Sequence, residues 1–249
     1  MTPMRSPGHA RWVRISHWIV TLSVAVLAFS GIEILMVHPR LYWGEVGNDL
    51  TTPLIELPIS RNYEHGGWDK QAPFFPGDAS PISASRTYDI FNQNGWGRSL
   101  HFLAGWFLVV SGAIYLLAGL VAGHFRRHLV PEPAQMSPTH FWREVRDHLR
   151  LQIPAGTGGP DYGLLQRGAY AAIVFVTLPL TVVTGMTMSP AITAAFPFLL
   201  TVFGGYQSAR TIHFAAFVAS MLFLIVHVLM VVKSGFRRQM RAMTIGRTS

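Results

Sequence analysis

The sequence predicts an all-α integral membrane protein, a four-helix bundle whose helices each cross the bilayer. Half of the 249 residues are apolar and only 13% are charged, which is too little charge to cover the surface of a soluble protein of this size. Four apolar stretches also reach the length of about 20 residues that a helix needs to cross a hydrocarbon core about 30 Å thick. These two observations predict the fold class.

The four predicted spans are joined by one short and two long connections. The spans cover roughly residues 15–37, 99–122, 168–188 and 209–232. The first span is expected to be retained rather than cleaved as a signal peptide, because its apolar part is too long and no small-residue cleavage site follows. Residues 1–249 are predicted to form a single membrane domain.

The connections have distinct predicted structures. The loop 38–98 is rich in Pro, Gly and aromatic residues and is expected to form an ordered cap. The loop 123–167 contains an amphipathic helix that either lies at the membrane interface or packs on the loop. The apolar run 191–203 is too short to cross and is expected to form one interfacial or re-entrant helix.

Basic residues are distributed unevenly between the two sides of these spans. Fourteen of the twenty Lys and Arg residues lie in the amino-terminal segment, the loop 123–167 and the carboxyl-terminal tail. The other side has six, and its long loop also carries seven acidic residues. The positive-inside rule therefore places both termini in the cytoplasm and the loop 38–98 in the periplasm of a bacterial inner membrane. The net charge of +8 reflects this orientation and does not indicate nucleic-acid binding.

The chain contains no cysteine. This excludes covalently attached CxxCH haem, an all-cysteine iron–sulfur cluster, a thiol nucleophile and a disulfide bond. A redox centre in this protein must therefore use other ligands.

Four of the eleven histidines fall inside the apolar spans: His17, His101, His213 and His227. A polar ionisable group within a span costs several kcal/mol unless it has a partner. Fourteen residues separate the last two, which corresponds to about 1400°, about 40° short of four full turns, so both point to one face about 21 Å apart along the helix. The topology then places His213 level with His101 near the outer side, and His227 level with His17 near the inner side.

Two imidazoles that face each other across a bundle core are typical of the ligands that bind a planar haem iron from both sides. Such a site has no open coordination position, so it predicts electron transfer and no catalytic residue. A single intramembrane histidine is more often a hydrogen-bonded packing residue, but four in two level pairs favour two haem b groups, one held by His17 and His227 and one by His101 and His213.

Small and basic residues near the histidines fit this interpretation. Gly31, Gly105 and Gly112 would let a macrocycle lie close to the helix backbone, although glycine in a span also marks ordinary helix contact. Arg98 and Arg210 each lie three residues before an outer histidine and could pair with haem propionates. For each arginine, a side chain that reaches toward the membrane interface is an equal alternative.

The sequence around these histidines resembles a known family. The motifs are RISHW in the first span, GRSLHFLAGW in the second, and ARTIHF followed by the histidine of HVLM in the fourth. They resemble the di-haem cytochrome b subunits of membrane-bound formate dehydrogenase and nickel–iron hydrogenase, and most of all the thiosulfate reductase type encoded beside molybdopterin oxidoreductases. The resemblance covers all four spans but not the long outer loop, and it implies the same two histidine pairs.

The resemblance also implies a quinone site near the inner haem and electron exchange with a periplasmic subunit, here expected to be molybdopterin-dependent. Candidate quinone residues are Tyr162, Gln166, Arg167 and Lys233, for which interface anchoring is the simpler alternative. The predicted function is thus electron transfer between the quinone pool and a periplasmic oxidoreductase, with the chain's own chemistry limited to haem and quinone redox reactions.

Other functions remain open at this stage. The chain could be a stand-alone quinol-oxidising cytochrome or the cytochrome of a nickel–iron hydrogenase, and the residues do not fix the direction of electron flow. A transporter or scaffold is disfavoured because there are no inverted repeats and no charges at the midplane. Glu33, the one acidic residue within a predicted span, lies near the outer side, where a hydrated helix end is expected.

Overall fold

The computed structural model of the protein describes residues 10–48, 50–59, 94–128, 137–149 and 163–246. Within these ranges the chain is mainly helical, and four helices are long and apolar enough to cross a membrane, namely Arg11–Val37, Trp96–Val121, Leu164–Thr187 and Tyr206–Lys233. The prediction of an all-α membrane protein with four spans is confirmed.

The elements follow one another in a simple order. They are α1 (Arg11–Val37), β1 (Arg40–Leu41), β2 (Ile55–Glu56), α2 (Asn94–Val121), α3 (His124–His128), α4 (Pro138–Leu149), α5 (Leu164–Ala172), a π-helical turn (Ile173–Thr177), α6 (Leu178–Thr187), α7 (Pro190–Ala195), α8 (Phe198–Phe203), α9 (Tyr206–Lys233) and α10 (Phe236–Thr244). The two short strands pair antiparallel, with Arg40 opposite Glu56 and Leu41 opposite Ile55.

The long helices begin earlier than the predicted spans and end within one residue of them. α1 begins at Arg11 rather than residue 15, and α2 begins at Asn94 rather than residue 99. Hydropathy measures the stretch that fits the hydrocarbon core, whereas helical hydrogen bonding continues into the polar interface. The predicted starts are therefore late by part of a turn to more than one turn.

The third span is irregular, since α5 passes through the π-helical turn into α6. Pro179 lies two residues after the wide turn and has no N–H to donate to the carbonyl of Phe175. A wide turn next to a proline relieves the clash between its ring and that carbonyl.

The expected single helix over residues 191–203 is two helices, and this part of the prediction is wrong. α7 ends before Phe196, whose φ of −131° and ψ of 65° are not helical. Pro197 follows Phe196, and a residue before proline is disfavoured in the α conformation. α8 then ends at Gly204, whose φ is +70°.

Contacts divide the chain into two compact units, and each unit takes part of all four long helices. The first unit comprises Met1–Ile19, Val110–Pro179 and Val218–Ser249. The second unit comprises Val20–Val109 and Leu180–Phe217. His17 and His227 belong to the first unit, and His101 and His213 belong to the second.

The first unit is held together by aromatic contacts and by its two short amphipathic helices. Phe125 of α3 contacts Phe175 with ring centroids 5.0 Å apart. α10 returns to the start of α1, where Arg14 Nη1 donates to the Thr244 carbonyl at 2.8 Å and Trp18 Nε1 donates to the Met243 carbonyl at 3.0 Å. The basic tail is therefore a packed helix.

α4 contributes a cap to the third span. The Glu144 carboxylate accepts from the backbone N–H groups of Leu164 at 3.0 Å and Leu165 at 3.2 Å. These are among the first N–H groups of α5, which have no acceptor within their own helix. This segment is therefore a helix that contacts the start of the third span.

In the second unit, the segment after α1 covers the start of α9. Gln207 N donates to the Gly44 carbonyl at 2.9 Å, Gly44 N donates to Ser208 Oγ at 2.7 Å, and Thr211 Oγ1 donates to the Tyr42 carbonyl at 2.6 Å. The described part of the loop 38–98 is therefore an ordered cap, and residues 60–93 lie outside the described ranges.

Glu33 is enclosed rather than hydrated, so the expectation for this residue is wrong. Its side chain is 1% exposed. A β-carbon added to Gly97 would lie 2.7 Å from Glu33 Oε2, so the carboxyl group lies against α2 at the position where residue 97 has no side chain. Hydropathy cannot report this contact, since it depends on which helix face meets Glu33.

Candidate haem sites

The first histidine pair joins α1 and α9 in the first unit. The ring centroids of His17 and His227 are 6.3 Å apart, and the ring planes are inclined by 49°. Aromatic rings surround the pair. Phe223 stacks on His227 at 5.7 Å, and Tyr170 meets the same ring edge-on at 6.1 Å.

The second pair joins α2 and α9 in the second unit. The ring centroids of His101 and His213 are also 6.3 Å apart, with an interplanar angle of 59°. Oxygen atoms rather than aromatic rings accompany this pair. His101 Nδ1 lies 3.0 Å from Ser30 Oγ, and His213 Nδ1 lies 3.1 Å from Thr184 Oγ1.

The separation within each pair fits a metal ion bound between two imidazoles. Metal–nitrogen bonds to histidine are about 2.0 Å long, and ring bonds of about 1.33 Å place each nitrogen about 1.1 Å from its ring centre. Two imidazoles on opposite sides of one metal ion thus have ring centres about 6.2 Å apart, in agreement with both pairs.

A direct hydrogen bond between the rings does not explain this spacing. Nitrogens that faced each other across such a gap would be about 4 Å apart, beyond hydrogen-bonding distance. Among the described residues, no group of three or more His, Cys, Asp or Glu side chains could hold a metal ion. Each pair brings two imidazole rings together, and two imidazoles are the protein ligands that a bis-histidine haem would use.

The three predicted glycines have two different surroundings. A β-carbon added to Gly31 would lie 3.4 Å from His101 Cε1, so Gly31 makes room for the histidine ring. At Gly105 and Gly112 an added β-carbon would meet no atom within 4 Å. These two positions border open space, as a cradle for a macrocycle requires.

The predicted arginines are also placed differently. Arg210 is partly buried and donates through Nη1 to the Arg40 carbonyl at 3.1 Å, and through Nη2 to the His38 carbonyl. Arg98 is exposed in the first turns of α2. Arg40, which the sequence analysis did not select, is 6% exposed and interacts electrostatically with Arg210. No sequence signal distinguishes Arg40 from other loop arginines.

Of the quinone candidates, Gln166 is linked to the first histidine pair through Tyr170. Gln166 Nε2 donates to the hydroxyl of Tyr170 at 2.9 Å, and Tyr170 contacts His227. Arg167 is buried in α5, Lys233 is exposed at the end of α9, and Tyr162 lies outside the described residues. Tyr170 was not selected from the sequence, although it follows Gln166 by one helical turn.

The oxygen partners of the second pair were not predicted from the sequence. Ser30 and Thr184 are each followed directly by glycine, Gly31 and Gly185, within an apolar span. The same hydroxyl–glycine dipeptide occurs at Ser111 and Gly112 in the second span, so this pattern alone does not select Ser30 and Thr184.

Comparison with known proteins agrees with this geometry. A family model described as prokaryotic cytochrome b561 matches residues 8–246. The chain is also 26% identical, over 223 residues that cover 90% of it and 89% of the relative, to a putative protein-methionine-sulfoxide reductase subunit, YedZ1, of Azospira oryzae. The resemblance inferred from the histidine motifs is confirmed. Because the family match spans nearly the whole chain, this membrane protein belongs to the prokaryotic cytochrome b561 family, which implies haem b as its cofactor and electron transfer as its activity.

Proposed function

We propose that the protein is a di-haem cytochrome b that carries electrons between membrane quinone and a periplasmic oxidoreductase subunit. One observation supports this most strongly: both histidine pairs have ring centroids 6.3 Å apart. This is the separation that one iron atom between two imidazoles requires, and it occurs twice.

The four histidines would be the axial ligands. His17 and His227 would hold one haem b, and His101 and His213 would hold the other. Haem b supplies a one-electron ferric–ferrous couple when it is bound. With two histidine ligands, neither iron would have a position for oxygen or substrate, so the chain would transfer electrons without catalysing a bond change at iron.

Charged side chains of the second unit could hold the propionates of its haem. Arg210 and the buried Arg40 bring two guanidinium groups close together, and a carboxylate between them would relieve their mutual repulsion. Arg98 retains its predicted role as a further candidate. In the first unit, Gly112 would border the haem as Gly105 does in the second.

A quinone site beside the first pair is supported by the Gln166 and Tyr170 side chains. A tyrosine hydroxyl and a glutamine amide can each donate to a quinone carbonyl or accept from a quinol hydroxyl. Tyr170 contacts His227 directly, so a quinone bound there would lie next to an iron ligand. Arg167, Lys233 and Tyr162 remain candidates.

The name of the Azospira relative suggests the partner and the direction of flow. Reduction of a methionine sulfoxide consumes two electrons and two protons and releases water, and oxidation of one quinol releases two electrons and two protons. We therefore propose that electrons pass from quinol to the first haem, then to the second, and then to a periplasmic reductase with a molybdopterin centre. The protein would lie in the bacterial inner membrane with both termini cytoplasmic.

Haem quantification of purified variants tests the ligand assignment. The parent is expected to bind two haems per chain, whereas His227→Ala loses the first and His101→Ala loses the second, each leaving about half of the haem absorbance. His124→Ala is the matched control, because His124 lies in the first unit and packs against Trp12 at 5.3 Å outside either pair. A parent that purifies without haem would overturn the proposal and favour a transporter or scaffold.

The partner assignment has its own test. Affinity purification of the chain from its native membranes is expected to recover a molybdopterin-containing oxidoreductase, and a short-chain quinol is expected to reduce both haems. Recovery of a hydrogenase, or of the cytochrome alone with full quinol activity, would contradict this part of the proposal.

A further inference from the structure

We propose that Ser30, and Thr184 together with the Thr181 carbonyl, hold the protons of His101 and His213 on Nδ1, so that Nε2 of each ring is free to bind iron. The inference rests on the proposed ligand role of these two histidines. It assigns to two buried hydroxyls the task of setting ring orientation and the reduction potential at the second site.

The contacts of His213 decide its tautomer. Its Nδ1 lies 2.9 Å from the backbone carbonyl of Thr181 and 3.1 Å from Thr184 Oγ1. A carbonyl oxygen can only accept, so Nδ1 must carry the proton in this arrangement. The Thr184 hydroxyl donates its own proton to the Leu180 carbonyl at 2.6 Å and thus also accepts from Nδ1.

His101 has equivalent contacts on α1. Its Nδ1 lies 3.0 Å from Ser30 Oγ, and the Ser30 hydroxyl donates to the Val26 carbonyl at 2.7 Å. The hydroxyl proton is used in this bond, so the oxygen accepts from Nδ1–H.

The residue after each hydroxyl completes the arrangement. A β-carbon on Gly31 would lie 3.4 Å from His101 Cε1, and one on Gly185 would lie 3.3 Å from His213 Cε1. The distance at Gly31 is at the lower limit of ordinary van der Waals contact and the distance at Gly185 is below it, so each ring lies against its glycine while the hydroxyl contacts its Nδ1 edge. α1 and α6 thus present the same hydroxyl–glycine pair to the two histidines.

These contacts have a predictable effect on a bound metal. A histidine that donates its second N–H to an oxygen is fixed in orientation and becomes a stronger electron donor to the metal. Stronger donation stabilises ferric over ferrous iron. Removal of either hydroxyl is therefore expected to raise the midpoint potential of the second haem and to weaken its retention by about 10-fold or more.

Redox titration of the purified, haem-loaded protein tests the inference. We expect Ser30→Ala and Thr184→Val to shift the second haem to a more positive potential while the first haem titrates as in the parent. Ser30→Thr and Thr184→Ser, which keep the acceptor oxygen, are expected to restore the parent potential. Thr187→Val is the matched control, because Thr187 is equally buried on α6 and its hydroxyl donates to the Val183 carbonyl at 2.9 Å.

The outcomes separate this inference from the proposed function. A parent with no second haem contradicts the ligand assignment itself. A parent with both haems whose Ser30→Ala and Thr184→Val variants titrate like Thr187→Val contradicts the positioning role alone. If Ser30→Ala does not accumulate in membranes, Thr184→Val decides, because valine keeps the shape of the threonine side chain.

Discussion

Single residues show how polar groups are accommodated inside the second unit. Among its described residues, four fully buried hydroxyl side chains each donate to the backbone carbonyl four residues earlier: Ser30, Thr184, Thr187 and Ser208. A hydroxyl satisfied by its own helix can be buried in a bilayer protein at little cost. Its oxygen still has a lone pair, and at two of the four positions a histidine ring lies against it.

The glycines that border open space provide a prediction at this scale. We expect Gly105→Ala to weaken the second haem and Gly112→Ala to weaken the first, because a methyl group would enter the space that each macrocycle needs. Haem content per chain after detergent purification measures the effect. Alanine otherwise favours a helix by about 0.5–1 kcal/mol over glycine, so the loss would not reflect helix propensity.

Gly168→Ala is the control for both glycines, since it also has no atom within 4 Å of an added β-carbon but lies outside the proposed haem surfaces. Full haem content in Gly105→Ala and Gly112→Ala would show that lipid or a flexible side chain, rather than haem, occupies that space.

The histidine pairs could be predicted from the sequence because the spacing of His213 and His227 fixes their common face, and the helix order fixes their levels. Their hydroxyl partners could not. Thr184 follows the π-helical turn at residues 173–177, which changes the rotation of the third span in a way that a regular helical period does not anticipate. Arg40 could not be predicted either, because its burial depends on contacts between a loop and α9.

At the scale of elements, the start of α9 depends on close backbone approach. Gly205 has a φ of +110°, and a β-carbon there would lie 2.5 Å from the carbonyl carbon and oxygen of Gly44. We expect Gly205→Ala to separate the cap from α9 and to lower the thermal denaturation midpoint strongly, measured by the loss of helical circular dichroism in detergent.

Gly235→Ala is the control that measures the backbone cost of replacing a glycine of positive φ with alanine. Gly235 has a similar φ of +104°, but an added β-carbon would meet no atom within 4 Å. Both substitutions carry the cost of a left-handed conformation, about 1–3 kcal/mol, so only the excess in Gly205→Ala reports the contact with Gly44. Equal destabilisation of the two variants would contradict the described contact.

The α4 cap on the third span gives a second prediction for elements. Glu144→Gln keeps one acceptor oxygen and loses the charge, whereas Glu144→Ala loses both oxygens. We expect the free energy of unfolding to fall in the order parent, Gln, Ala, by about 1 kcal/mol or more for Ala, as measured by thermal denaturation. An alanine variant as stable as the parent would show that water replaces the carboxylate without cost.

Some element boundaries could not be predicted, because they depend on contacts rather than on hydropathy. The four apolar stretches were correctly identified, but each helix starts earlier than its apolar core. α10 has a basic sequence with few apolar residues, and its helix is stabilised by bonds from Arg14 and Trp18 of α1 to its last turn. No local pattern reports that partnership.

For the whole molecule, charge distribution and topology lead to one prediction. Among the described residues, the basic residues predicted on the cytoplasmic side belong to the first unit, and those predicted on the other side, Arg40, Arg98 and Arg210, belong to the second. A fluorescent protein fused to the carboxyl terminus is expected to fluoresce, and alkaline phosphatase fused after Ile59 is expected to be active. The opposite pattern would invert the orientation and place the quinone candidates on the periplasmic side.

The central claim, that each histidine pair grips one haem iron from both sides, is tested most directly by electron paramagnetic resonance of the oxidised, purified protein with haem quantified per chain. We predict two haems per chain, both low-spin ferric, because six-coordinate iron with two imidazole ligands has no open position. A high-spin ferric signal as intense as the low-spin signal would contradict the claim. So would a single haem per chain.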